Sequence, residues 1–368
     1  MEESKVYLTE QIITYIGNKR ALLSPIEEEV KTIRAKIGRQ KLRCADLFSG
    51  SGIVSRMLKQ YSETLIANDR ENYSFIINDC YLSNKSSYPQ SKCDFLREKI
   101  IELCRNERRP GIIAEHYAPQ DDNSIRAGER VFYTHENAVL IDTYRALIDE
   151  WVTEEGLKKF FLAPLITEAS IHVNTSGVFK GFYKDKRTGI GCFGASGKNA
   201  LKRILGRIEL KAPVFSRFES AIELYREDAV ALSENLKRID IAYLDPPYNQ
   251  HPYGSNYFML NLILKNKLDV AVSSVSGITQ DWNRSVFNKP HSALKSMEKI
   301  VSVLDAKFVI VSYNSEGFIA FDEMVQMLKK YGKVKTVEIP YNVFRGSRNL
   351  KNRSLRVSEY LFVLEKRC

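Results

Sequence analysis

The sequence predicts an α/β fold, a mixed sheet with helices on both faces and an inserted, mostly helical lobe. Three observations carry the prediction. Four short apolar runs each end in glycine or polar residues, as buried parallel strands do. Helical patterns lie between those runs. The middle of the chain lacks this alternation.

In chain order, Ser24-Pro25-Ile26-Glu27 reads as a capped helix start, with Pro at the first helical position and Glu three residues after Ser. Leu42–Phe48 reads as a strand ending in Ser49-Gly50-Ser51-Gly52. Ile53, Val54, Met57, Leu58 and Tyr61 then form one apolar helical face. Thr64–Asn68 is the second strand, closed by Asp69. From about residue 75 to 215 the pattern stops: Phe132–Trp151 and Leu157–His172 read as helices, and Asn174–Lys198 as a loop rich in Gly, Ser and Lys. Ile239–Leu244 runs into Asp245-Pro246-Pro247, and Lys307–Ser312 into Tyr313-Asn314. Ser292–Leu304 and Phe321–Tyr331 read as helices. Val334–Ile339 and Glu359–Leu364 stand too close for a long crossover helix, so an antiparallel pairing is expected. The division that follows is one unit from 1–75 and 216–368, interrupted by a lobe at 76–215.

At 368 residues, 44% hydrophobic and 27% charged, the chain has the composition of a packed protein. No apolar run approaches the roughly 18 residues that span a bilayer. Met1-Glu2-Glu3-Ser4-Lys5 lacks the apolar core of a secretory signal, so a cytoplasmic location is expected, with no membrane partner. The cysteines at 44, 80, 93, 104, 192 and 368 form no Cys-x-x-Cys pair; packed thiols are expected, with no disulfide framework or metal site. The net charge of +10 suits a polyanionic partner. It is concentrated: Lys180–Lys211 carries nine basic and two acidic residues, and Lys329–Arg353 eight basic and one acidic.

The chemistry centres on two loops. Asp46-Leu47-Phe48-Ser49-Gly50-Ser51-Gly52 follows a strand and opens a helix, where glycines permit a tight turn and close backbone approach to a ligand. Ser55 stands where a dinucleotide fingerprint has its third glycine, which argues against that ligand. Asp69, at the end of the next strand, suits ribose hydroxyls. Asp245-Pro246-Pro247-Tyr248 leaves the sheet as a rigid loop. Its carboxylate, free carbonyls and aromatic ring match a planar base bearing an amino group: Asp245 and the Pro246 carbonyl accept its hydrogens, and Tyr248 stacks on the ring. Accepting both hydrogens favours the attack of a weakly nucleophilic nitrogen on a methyl sulfonium, with no metal required.

With these motifs, in this order, the chain resembles the Dam-like, alpha-group adenine-N6 DNA methyltransferases, many of which serve restriction–modification systems. The resemblance implies a Rossmann-like fold with a mixed seven-stranded sheet and an antiparallel last strand, S-adenosyl-L-methionine as cofactor, and double-stranded DNA as substrate with base flipping. It also implies a monomer and a separately encoded cognate restriction endonuclease. In Tyr15-Ile16-Gly17-Asn18-Lys19-Arg20, Tyr15 and Lys19 would lie at the methionine end of the cofactor, Lys19 also near DNA. Asp46, Phe48, Ser49, Gly50, Gly52, Asp69, Asp228, Ala229 and Asp245 would complete the cofactor site. Asp245, Pro246, Pro247 and Tyr248 would be catalytic. Asn174, Ser176, Lys180, Tyr183, Lys184, Lys186, Arg187, Lys198, Arg345 and Arg348 would contact DNA. An RNA amino-group methyltransferase would use the same catalytic loop, and a DNA-binding relative without catalysis would keep the fold. A protein glutamine methyltransferase typically begins the loop with Asn, and Asp245 argues against it.

Overall fold

A computed structural model describes residues 2–194, 200–342 and 356–367. The chain opens with α1 (Lys5–Thr9) and α2 (Leu23–Ile37), followed by β1 (Leu42–Asp46), α3 (Ile53–Lys59), β2 (Ser62–Asn68) and α4 (Asn72–Tyr81). Then come α5 (Gln90–Asn106), α6 (Ile112–Tyr117), α7 (His135–Trp151), α8 (Glu155–Ile171) and α9 (Leu201–Ile204). The sheet resumes with β3 (Ala221–Tyr225), α10 (Ala229–Asn235) and β4 (Ile239–Leu244), after which α11 (Tyr253–Asn256), α12 (Phe258–Lys265) and α13 (Pro290–Val303) follow. β5 (Ala306–Asn314), α14 (Phe321–Lys329), β6 (Gly332–Asn342) and β7 (Arg356–Lys366) complete it.

Among the described residues the strands form one seven-stranded sheet in the order β3-β2-β1-β4-β5-β7-β6. The first five are parallel, and β7 lies antiparallel between β5 and β6. This is the Rossmann-like mixed sheet that the sequence predicts. The strand period of two sends side chains to both faces. Phe308 and Ile310 of β5 pack against α2 and α3, while Val309 and Val311 face α13 and α14. A third core joins α4–α8 to α12, so the helix beyond the Asp245 loop packs among the inserted helices.

Two local readings need correction. β3 is absent from the apolar runs because it is an edge strand with an exposed first residue and half-buried successors. The second helix starts at Leu23, ahead of Pro25: a 3-10 turn at Arg20–Leu22 runs straight into it, and Ser24 makes no cap.

The strand order places β1 beside β4, with β2 beyond one and β5 beyond the other. The chain thus leaves these two neighbours in opposite directions, which opens a crevice at their carboxyl ends. The Gly50 loop and the Asp245 loop both emerge there.

Candidate active site

A cleft occupies that crevice, lined by residues of both loops. Its floor is Leu47, Phe48 and Gly50 after β1, with Asn68 and Asp69 at the end of β2. Asp228 and Ala229 close one end, Asp245 and Pro247 the other.

The loop after β1 is held from behind. Asp46 is buried, and its carboxylate accepts the Ser55 hydroxyl at 2.7 Å and the Phe48 N–H at 3.3 Å. Burial pushes its carboxyl up to about 7. The Ser49 N–H and hydroxyl both donate to the Asn68 carbonyl, at 2.9 and 2.8 Å. Gly50 has a φ of +49°, and a methyl group there would stand 2.9 Å from the Tyr15 ring. Its N–H donates to Asp69 Oδ2 at 2.8 Å, and the Glu71 N–H to Asp69 Oδ1 at 2.9 Å. Burial raises the Asp69 pKa against these hydrogen bonds.

Of the expected cofactor residues, Tyr15, Phe48, Gly50, Asp69, Asp228, Ala229 and Asp245 line the cleft. Asp46, Ser49, Gly52 and Lys19 stand behind its wall, because their polar groups are spent on the fold. Asp228 caps α10 through the Val230 N–H at 3.0 Å and pairs with Arg70 at 3.4 Å.

Four wall residues come from the loop between α12 and α13: Asn283, Ser285, Phe287 and Asn288. Phe287 meets Phe48 edge-on at 5.4 Å, making an apolar corner suited to a planar ring. Asn288 donates to the Asn249 carbonyl at 2.8 Å and so ties the cleft wall to the Asp245 loop. Glu71 also faces the cleft, is pushed up to about 7 by burial, and accepts the Asn261 amide at 2.9 Å. None of these residues is named from the sequence alone, nor is Tyr253, which lines the cleft five positions past Tyr248 and stacks on Tyr15 at 5.0 Å.

Asp245 is largely buried. Lys19 Nζ lies 3.1 Å from its Oδ1 and 2.6 Å from Oε1 of Glu359. Desolvation pushes the Asp245 carboxyl up to about 7, against the pull of Lys19. Pro246 is buried, and the half-buried Tyr248 ring meets Tyr313 edge-on at 6.2 Å. Tyr257 accepts the Ile16 N–H at 2.6 Å and donates to the Gly177 carbonyl at 3.3 Å. It thereby joins the Tyr15 segment to the inserted lobe.

Asn174, expected at the DNA surface, is fully buried. Its amide donates to the Val131 and Cys192 carbonyls at 2.7 and 2.8 Å and accepts the Gly194 N–H at 3.0 Å, so it braces the lobe from within. Ser176, Lys184, Lys186 and Arg187 are exposed, the last three on a turn organised by Asp185. Tyr183 is half-buried, and Lys180, also half-buried, has Nζ 3.4 Å from His251 Nδ1. Lys198, Arg345 and Arg348 lie outside the described residues.

Residues 15–327 match the model of the D12 class N6 adenine-specific DNA methyltransferases. The chain is 30% identical to the type II methyltransferase M.NlaIII of Neisseria lactamica, covering 96% of this chain and 99% of that protein. It is 31% identical to the type II methyltransferase M.CviAII of Paramecium bursaria Chlorella virus 1, covering 95% and 97%. It is 27% identical to M.FokI of Planomicrobium okeanokoites, covering 96% of this chain and 52% of that one.

Proposed function

The chain belongs to the D12 class N6 adenine-specific DNA methyltransferases, and from that premise we propose that it methylates adenine N6 at a specific site in duplex DNA, as the modification enzyme of a restriction–modification system. The observation that carries the reading is that Asp69 and Asp245 line one continuous cleft. A ribose-binding acid and an acceptor for an amino group thus share a single cavity.

S-adenosyl-L-methionine fits this cleft by the chemistry of its walls: Asp69 for ribose hydroxyls, the Phe48–Phe287 corner for the adenine ring, and Tyr15 toward the methionine end. When bound, it supplies an electrophilic methyl group. Asp245 and the Pro246 carbonyl accept the two amino hydrogens of the target adenine, and Tyr248 stacks on its ring. The amino nitrogen would take the methyl as the methyl–sulfur bond breaks with its electron pair left on sulfur, and the positive charge the nitrogen gains would be lost by passing one proton to Asp245. A base inside a duplex cannot reach this loop, so the target is flipped out. Residues 76–215 form the target-recognition lobe, whose exposed Lys184, Lys186 and Arg187 neutralise phosphates. The type II names of M.NlaIII and M.CviAII support the modification role. We take the enzyme to act as a monomer.

The test supplies methyl-labelled cofactor with mixed-sequence duplex DNA. Label recovered as N6-methyladenine at one sequence is expected. Label in cytosine, label in structured RNA alone, or no transfer despite calorimetric cofactor binding would each overturn the proposal.

A further inference from the structure

Glu359 occupies a position in β7 where the strand pattern calls for an apolar side chain. Leu361 and Val363, two and four residues on, pack into the core under α2 and α3. Glu359 is equally buried, at 1% exposure, and an ionised carboxylate there is costly unless its partners repay the lost hydration. Its partners are Lys19 Nζ at 2.6 Å, the Ser312 hydroxyl at 2.8 Å and the Asn314 amide at 3.3 Å. Lys19 is itself 3% exposed and touches Asp245 on its other side. A fold that needed only packing would place hydrocarbon at both sites.

We propose that Glu359 is a positioning residue for methyl transfer: it shares the Lys19 ammonium with Asp245, so that Lys19 orients the Asp245 carboxylate without neutralising it. This rests on the reading of Asp245 as the acceptor for the adenine amino group. A carboxylate that owns an ammonium outright is a weak acceptor for a third group. With two carboxylates and one ammonium, the network keeps one negative charge in excess. That excess stands beside the nitrogen on which positive charge develops. Ser312 and Asn314 hold Glu359 from β5, the strand adjacent to the one that delivers Asp245.

The groups around Asp245 agree on the sign. Lys19 is the cation, and Asp46 and Glu359 are the nearby anions. Tyr243 of the same strand and Tyr253 of α11 are phenols that burial keeps neutral, and Tyr248 completes the surround. Glu359 pushes the Asp245 pKa up and Lys19 pulls it down. Deleting the Glu359 charge leaves Lys19 to Asp245 alone, so Asp245 holds its proton less tightly.

The experiment compares Glu359→Gln and Glu359→Asp with the parent in the full chain. In Glu359→Gln, kcat on duplex DNA is expected to fall about tenfold or more, a typical contribution of a tuned acid–base group, while cofactor affinity stays unchanged. The acid limb of kcat should move to lower pH, by roughly half a unit or more as one neighbouring charge is removed. Glu359→Asp should restore the limb and part of the rate. Carboxyl-carbon NMR of labelled Asp245 gives a readout independent of turnover: its midpoint should move down in Glu359→Gln. If the parent forms no N6-methyladenine, the functional reading fails, and the NMR midpoint still decides whether Glu359 tunes Asp245. An unmoved midpoint overturns the inference. So does equal loss of rate in both variants with an unmoved limb, the mark of a merely structural role.

Discussion

The N–H of Gly50 donates to the carboxylate of Asp69 at 2.8 Å, so the two sides of the cleft floor are joined before any ligand enters. Asp69 therefore shapes the glycine loop as well as facing the cleft. Asp69→Ala removes both functions. Cofactor affinity should fall roughly 10- to 100-fold, the worth of one or two charge-assisted hydrogen bonds, as read by calorimetry. Gly50→Ala should weaken binding too, because its methyl would meet the Tyr15 ring.

Asp245 is a charged acceptor, able to take a proton from the amino group, only when ionised. With its pKa raised to about 7 by burial, kcat/KM should decline as pH falls through about 7. Asp245→Asn should cost about 100-fold or more in kcat while leaving most cofactor binding, in line with the loss of one preorganised electrostatic group. A pH–rate series on both proteins checks this.

The same shift has a consequence for stability. A carboxyl whose folded pKa is raised favours the folded state fully below its unfolded value near 4, and that contribution is lost as pH rises through about 7. At pH 8, Asp245→Asn removes a buried charge and leaves Lys19 and Glu359 as a one-to-one pair. Its melting temperature should therefore exceed that of the parent at pH 8 and approach it at pH 5.

Tyr248 should matter most for holding an extruded base. Tyr248→Ala should raise KM for duplex DNA about 5- to 150-fold, since stacking on one base is worth about 1–3 kcal/mol. A mismatched target, already partly unstacked, should suffer less. Kinetics on matched and mismatched duplexes separate the two.

Lys184, Lys186 and Arg187 are exposed on one turn and, among the described residues, have no acidic partner except Asp185, which is engaged in holding the turn. Replacing all three with alanine should lower the slope of log affinity against log salt by about 2–3, close to 0.9 per lost phosphate contact. An unchanged slope would remove the turn from the interface.

The sheet was readable because its central strands are largely apolar runs that end at or near glycine, proline or polar residues, although β5 carries on through Tyr313 and Asn314. The Gly50 and Asp245 loops were readable for the same reason, each being attached to such a run. β3 escaped because an edge strand needs apolar character on only part of its length. Asn283–Asn288 escaped because nothing in a loop without periodicity says which cleft it will cover. Asn174 misled in the opposite direction. A polar residue in a Gly- and Ser-rich stretch looks available, and only the positions of the Val131 and Cys192 carbonyls reveal that it is consumed. The Lys19–Glu359 pair joins residues 340 positions apart, a distance no local pattern spans.

The interior place of β7 governs what a growing chain can do. β6 is made before β7, its sheet neighbour, so its eleven residues wait without a strand to dock on until β7 has been synthesised. Until then an unpaired strand edge is open to the wrong partners, and a chain cut short before β7 would keep that edge for good. The strand that seals the edge also carries Glu359 to Lys19. Completion of the sheet and completion of the charge network are therefore one event, and a nascent chain has no finished centre with which to act on DNA.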